Sequence, residues 1–145
     1  MIRIFLVSVA SLLMCVCPAI AQQPTAGIRI KLINGMNGKP MKTTQVGLEI
    51  FPGYHEYSVQ TNEIGVATVN VPRDSVILTH NTRQYVACAD DAGGRIHNDF
   101  KVAQILSTGM IQPVPRPTRC HVTTTVPIPG ELVVFVRPWG FLEQK

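Results

Sequence analysis

Tyr57-Ser58-Val59-Gln60-Thr61-Asn62-Glu63-Ile64-Gly65-Val66-Ala67-Thr68-Val69-Asn70-Val71 is the stretch that decides the fold. Residues 57, 59 and 61, and then 67, 69 and 71, repeat with period two, the mark of strands with one face buried and one in water. Asn62-Glu63-Ile64-Gly65 between them reads as a hairpin turn, with the second run as its return. Pro72 stops the ladder, because proline has no N–H to donate.

The same rhythm extends upstream. Ile28, Ile30 and Leu32 alternate with Arg29 and Lys31. Residues 34–40, with four Asn or Gly positions able to take positive φ, form a turn. Val46, Leu48 and Ile50 alternate with Gln45, Gly47 and Glu49 before Pro52-Gly53 ends that strand. Downstream, residues 75–79 and 83–89 lack clean alternation and read as strands on β-propensity alone. Residues 90–98, with Gly93-Gly94, read as a loop. A short helix is expected near residues 100–108, capped by Asp99, with Val102, Ile105 and Leu106 on one face and Gly109 at its left-handed end. Prolines at 113, 115, 117, 127 and 129 make residues 112–130 a proline-rich, extended and mostly irregular loop. Leu132 to Val136 is a continuous apolar run suited to a central strand, ended by Pro138. With no long helix and no fixed repeat, the expectation is an all-β sandwich.

Composition narrows the class. The chain has 145 residues, 46% of them hydrophobic, and a net charge of +4, but residues 1–21 distort both figures. Met1 to Arg3 is a basic start, residues 4–16 are apolar apart from Ser8 and Ser11, Pro18 breaks the run, and Ala19-Ile20-Ala21 supplies the small-x-small pattern of a cleavage site. This is a signal peptide, with cleavage expected after Ala21. A retained anchor is the alternative, against which the run is short. A lipid-attached cysteine is another, against which Met14 and Val16 stand where a small residue is wanted before Cys15 or Cys17. Residues 22–145 then form a single domain with 12 basic and nine acidic residues, or +3. That field is weak, with no basic stripe, so nucleic acid is a poor partner. No second apolar run approaches the roughly 20 residues of a spanning helix. The expected location is secreted or periplasmic.

Loss of the signal leaves Cys88 and Cys120. In an oxidising compartment two cysteines pair most simply as one disulfide. A metal or redox site with His121 is the alternative, but there is no C-x-x-C and no second clustered ligand.

A resemblance follows from these residues. Gly27-Ile28-Arg29-Ile30, Gly38-Lys39-Pro40-Met41 and Val46-Gly47-Leu48, then Thr61 to Val69 with its Thr-Asn-x-x-Gly turn, are similar to the opening of carboxypeptidase regulatory-like domains. The resemblance spans residues 27–71. It implies a transthyretin-like, Greek-key β-sandwich of about seven strands and no particular activity. Enzymes on related sandwiches are not indicated. The chain ends Leu142-Glu143-Gln144-Lys145 rather than in the Tyr-Arg-Gly-Ser of hydroxyisourate hydrolases. His55, His80, His97 and His121 make no His-x-His of the kind intradiol dioxygenases use for iron.

Catalytic chemistry finds no pattern. Ser58, Ser75 and Ser107 lie in no nucleophile elbow, and the nine acidic residues offer no recognisable pair. The loop Asp90-Asp91-Ala92-Gly93-Gly94 with Asn98 and Asp99 has oxygen ligands for calcium, yet its spacing fits no EF-hand and solvated acidic residues explain it, so no metal and no cofactor are expected. Aromatics are the remaining feature. Tyr54 and Tyr57 flank Pro52-Gly53 together with Phe51, and Trp139 and Phe141 follow the last strand. Such rings stack on sugars or anchor partners; the competing reading has Phe51 and Trp139 plugging the ends of the sandwich. The expectation is an exported, non-enzymatic module that binds an unknown protein or polysaccharide or supports an envelope assembly. The alternative is a carbohydrate-binding module with Tyr54, Tyr57, Trp139 and Phe141 as candidate contacts.

Overall fold

The computed structural model describes residues 23–90, 99–114, 118–121 and 124–140. It is all-β, in two sheets with one short helix. The strands are β1 (Thr25–Asn34), β2 (Gln45–Phe51), β3 (His55–Gln60), β4 (Val66–Pro72), β5 (Val76–His80), β6 (Tyr85–Ala87), β7 (Asp99–Lys101), β8 (Met110–Ile111) and β9 (Glu131–Pro138), with helix α1 (Val102–Thr108) between β7 and β8. One sheet has the order β4-β1-β9-β6, with β8 also on β9; the other has the order β3-β2-β5-β7. Nine strands replace the seven expected, and β7 and β8 are only three and two residues long, too short to leave a period-two signal.

Alternation becomes packing in β1 and β2. Ile28, Ile30 and Leu32 of β1 and Val46, Leu48 and Ile50 of β2 turn inward and meet Leu132, Val134 and Val136 of β9 in one core. Fully burying each such side chain contributes roughly 1.5–3 kcal/mol. The unbroken apolar run of β9 has a different cause. Its other face, Val133 and Phe135, packs with Ile33, Cys88 and Cys120 in a second cluster, against which Ile111 and Val114 also lie. A strand covered on both faces loses its polar alternation. Its parallel pairing with β1, from Arg29↔Glu131 to Asn34↔Val136, places β9 inside the sheet.

Cys88 and Cys120 form the expected disulfide, with Cα atoms 5.9 Å apart. The bridge lies against Gly35, where a Cβ would stand 2.6 Å from Cys88 Sγ. It fastens the start of the proline-rich segment over the outer face of β9.

Two expectations are corrected. Residues 57–71 are not a hairpin: β3 pairs with β2, and β4 pairs with β1 in the other sheet. The turn itself is present, since Asn62 Oδ1 accepts from the N–H groups of Ile64 and Val66 and Gly65 has φ 75°. It carries the chain from one sheet to the other. The true hairpin is β2–β3, turning at 52–54. Asp99 is not a helix cap either; it pairs with Leu78 in β7, and Lys101 precedes the helix with no side-chain cap. Gly109 ends the helix at φ 72° as expected, its N–H donating to Ile105 O. No described helix is long and apolar enough to cross a membrane.

Candidate functional site

The site lies on the face of the β3-β2-β5-β7 sheet turned away from the core. Because Val46, Leu48 and Ile50 point inward, Gln45, Gly47 and Glu49 point outward. The register sets Ser58 and His80 on either side of Gly47, and Glu56 opposite Glu49. Ser58, Gly47 and His80 thus form a row across three strands, spanning about 10 Å at the usual strand spacing. Gly47 is what lets the row lie flat. A Cβ there would stand 2.5 Å from Cε1 of His80, so the imidazole occupies the space of the missing side chain.

The far bank is the 81–84 crossover between β5 and β6, and its polar groups are committed to holding its shape. Asn81 Oδ1 accepts from Ala87 N at 2.7 Å. Thr82 Oγ1 accepts from Gln84 N at 3.2 Å, and Gln84 Oε1 accepts from Gln45 N at 2.7 Å. The indole Nε1 of Trp139 donates to Thr82 O at 2.7 Å, which fixes the ring beside the loop. These residues enclose an open groove of roughly 880 Å³, lined by Gln45, Gly47, Glu56, Tyr57, Ser58, His80, Asn81, Thr82, Arg83 and Trp139. Below the floor, the buried Tyr85 reaches the Gly47 backbone. Burial pushes its phenol up to about 12, and the hydrogen bond from Gly47 acts against that shift.

Within the groove, Gln45 Nε2 donates to Ser58 Oγ. His80 Nδ1–H donates to Asn81 O at 3.2 Å. Nε2 is closed off from solvent, with no partner among the described residues.

The aromatics named from sequence separate into three places. Trp139 lines the groove half-buried, whereas Tyr57 borders it but, pairing with the inward Leu48, turns its 41% exposed ring to the other face of the sheet, edge-on to His55. Tyr54 stands at the β2–β3 tip, 59% exposed, edge-on to Phe51 with ring centroids 5.7 Å apart. Its hydroxyl donates to Glu56 at 3.4 Å, and the charges of Glu49 and then Glu56 hold its phenol above the ordinary value. Phe51 and Trp139 are each half-buried. Phe141 lies outside the described residues, as do residues 91–98 of the loop considered for calcium. Asp90 is described; partial burial raises its carboxyl, and the Asn81 side chain opposes the rise. Among the described residues no three His, Cys, Asp or Glu side chains are grouped to hold a metal ion.

His80, Arg83, Ser58 and Gln45 were not singled out by the sequence reading. The available signal was Gly47, an isolated glycine inside a strand, which marks close approach by another group.

Fold and site together define an all-β, disulfide-bonded, two-sheet protein with a polar groove on the outer face of one sheet. Compared with protein families, curated proteins and solved structures, the chain matches none.

Proposed function

We propose that the protein is an exported, non-enzymatic binding module that seats its ligand in the groove over Gly47. One observation carries this reading: a preformed groove gathers an indole fixed by a backbone bond, two amides, a guanidinium and a carboxylate around a flat floor. Concave sites with a few convergent polar groups are the usual seats of ligands. The polar contacts favour binding over catalysis. Ser58 Oγ is met by the Gln45 amide and His80 Nδ1 by the Asn81 carbonyl, and no hydrogen bond among the described residues joins the imidazole to the hydroxyl as in a base–nucleophile pair. The disulfide supports export, because such bonds persist in oxidising compartments.

Carbohydrate is the second, narrower reading, favoured by the Trp139 indole standing beside amide and hydroxyl groups in one groove. Similarity of residues 27–71 to carboxypeptidase regulatory-like domains belongs to the same proposal. Strand β1 and the Asn62 turn feeding β4 support it.

A panel of immobilised glycans and envelope proteins tests the proposal. Retention that is lost in both Trp139→Ala and Gln45→Ala is expected. Retention that ignores both substitutions would overturn the groove as the seat.

A further inference from the structure

We infer that the groove takes a glycan segment bearing a free amino group, with the ammonium at the Glu56 end; this rests on the groove being the ligand seat. The groove is polarised along its length. Glu56 lines one end, and Glu49 faces it directly across β2–β3 on the same side of the sheet. Arg83 lines the other end, in the crossover whose next residue, Gln84, bonds Gln45. Glu49 and Gln45 are four residues apart, about 13 Å along a strand. Neither Glu49, Glu56 nor Arg83 forms an ion pair among the described residues.

Like charges directly opposite in an antiparallel pair destabilise it. The doubled carboxylate also runs against a chain whose net charge is +4. A cationic group lying over this end of the groove removes the repulsion. Between the charged ends the lining is Ser58, Gln45, Gly47 and the imidazole of His80. Hydroxyl and amide groups beside one fixed indole face suit the hydroxyl rim and apolar face of a sugar ring. A volume of roughly 880 Å³ accommodates a short oligosaccharide, within the range of about 300–1,000 Å³ usual for ligand sites. Arg83 at the far end donates to hydroxyl or ring oxygens.

A matched pair of probes isolates the amino group: an N-acetylated chitotetraose and its de-N-acetylated counterpart, titrated calorimetrically into the full chain in mildly acidic buffer. The amino form is expected to bind about tenfold more tightly, the worth of one charge-assisted contact. Glu56→Gln and Glu49→Gln should each shrink that preference, as should added salt, whereas Arg83→Gln should leave it in place. Equal affinity for the two forms overturns the inference but leaves the groove reading standing. Binding of neither removes the inference, and the glycan reading with it. A trilysine peptide that binds as tightly as the amino glycan also overturns it, by showing that charge alone is recognised.

Discussion

Gly47 and His80 face each other across the β2–β5 ladder, and the imidazole fills the space that any side chain at position 47 would need. The groove floor exists because one strand position is left bare. Gly47→Ala forces the ring away and strains its bond to Asn81 O, so a stability loss of about 1–3 kcal/mol is expected. Chemical denaturation measures it. Adding His80→Ala to Gly47→Ala should recover part of the loss, since contacting residues are not additive.

Tyr85 makes stability depend on alkaline pH. Its phenol is pushed from 10.0 up to about 12 by burial, so between these values the folded state keeps a proton that the unfolded chain has released. Stability is therefore fully present below about pH 10 and declines as pH rises towards 12, by about 2–3 kcal/mol in all. Tyr85→Phe removes this share of the decline, which urea melts at stepped pH will show against the parent protein.

The Cys88–Cys120 bridge closes a loop with a sequence separation of 32. On the chain-entropy account its removal costs roughly 3–4 kcal/mol. The structure adds a local effect, because the bridge holds a cover over Val133 and Phe135. Cys88→Ala/Cys120→Ala should melt at lower temperature and bind more of an apolar-surface dye than the parent does below its melting point.

Asn62 holds the turn that changes sheets. Asn62→Ala removes an acceptor for two backbone N–H groups, with an expected cost of about 1–2 kcal/mol in thermal melts. Asn62→Asp keeps the acceptor and should retain most of the stability.

The legible part of this fold was the part governed by period two. Ile28, Ile30 and Leu32, Val46, Leu48 and Ile50, and Ala67, Val69 and Val71 all face the core as their alternation predicts. Partner choice was not legible in the same way. Asn62 and Gly65 encode a turn, but a turn does not say whether its two strands bond each other or enter different sheets. Asp99 is misleading because a good capping residue three places before an apolar face looks the same when it opens a short edge strand. The groove was half legible: Trp139 stood out as an aromatic, whereas His80, Ser58 and Arg83 are ordinary residues that only the strand register and the crossover loop bring together, and the same register turns Tyr57 to the other face.

Chemical-shift mapping during titration with the amino oligosaccharide tests the central claim most directly. The groove account predicts saturable shifts at the Trp139 indole N–H, Gly47, Ser58 and Arg83, with the exposed Val126 and Ile128 unmoved. Saturable shifts confined to residues outside the groove would contradict it.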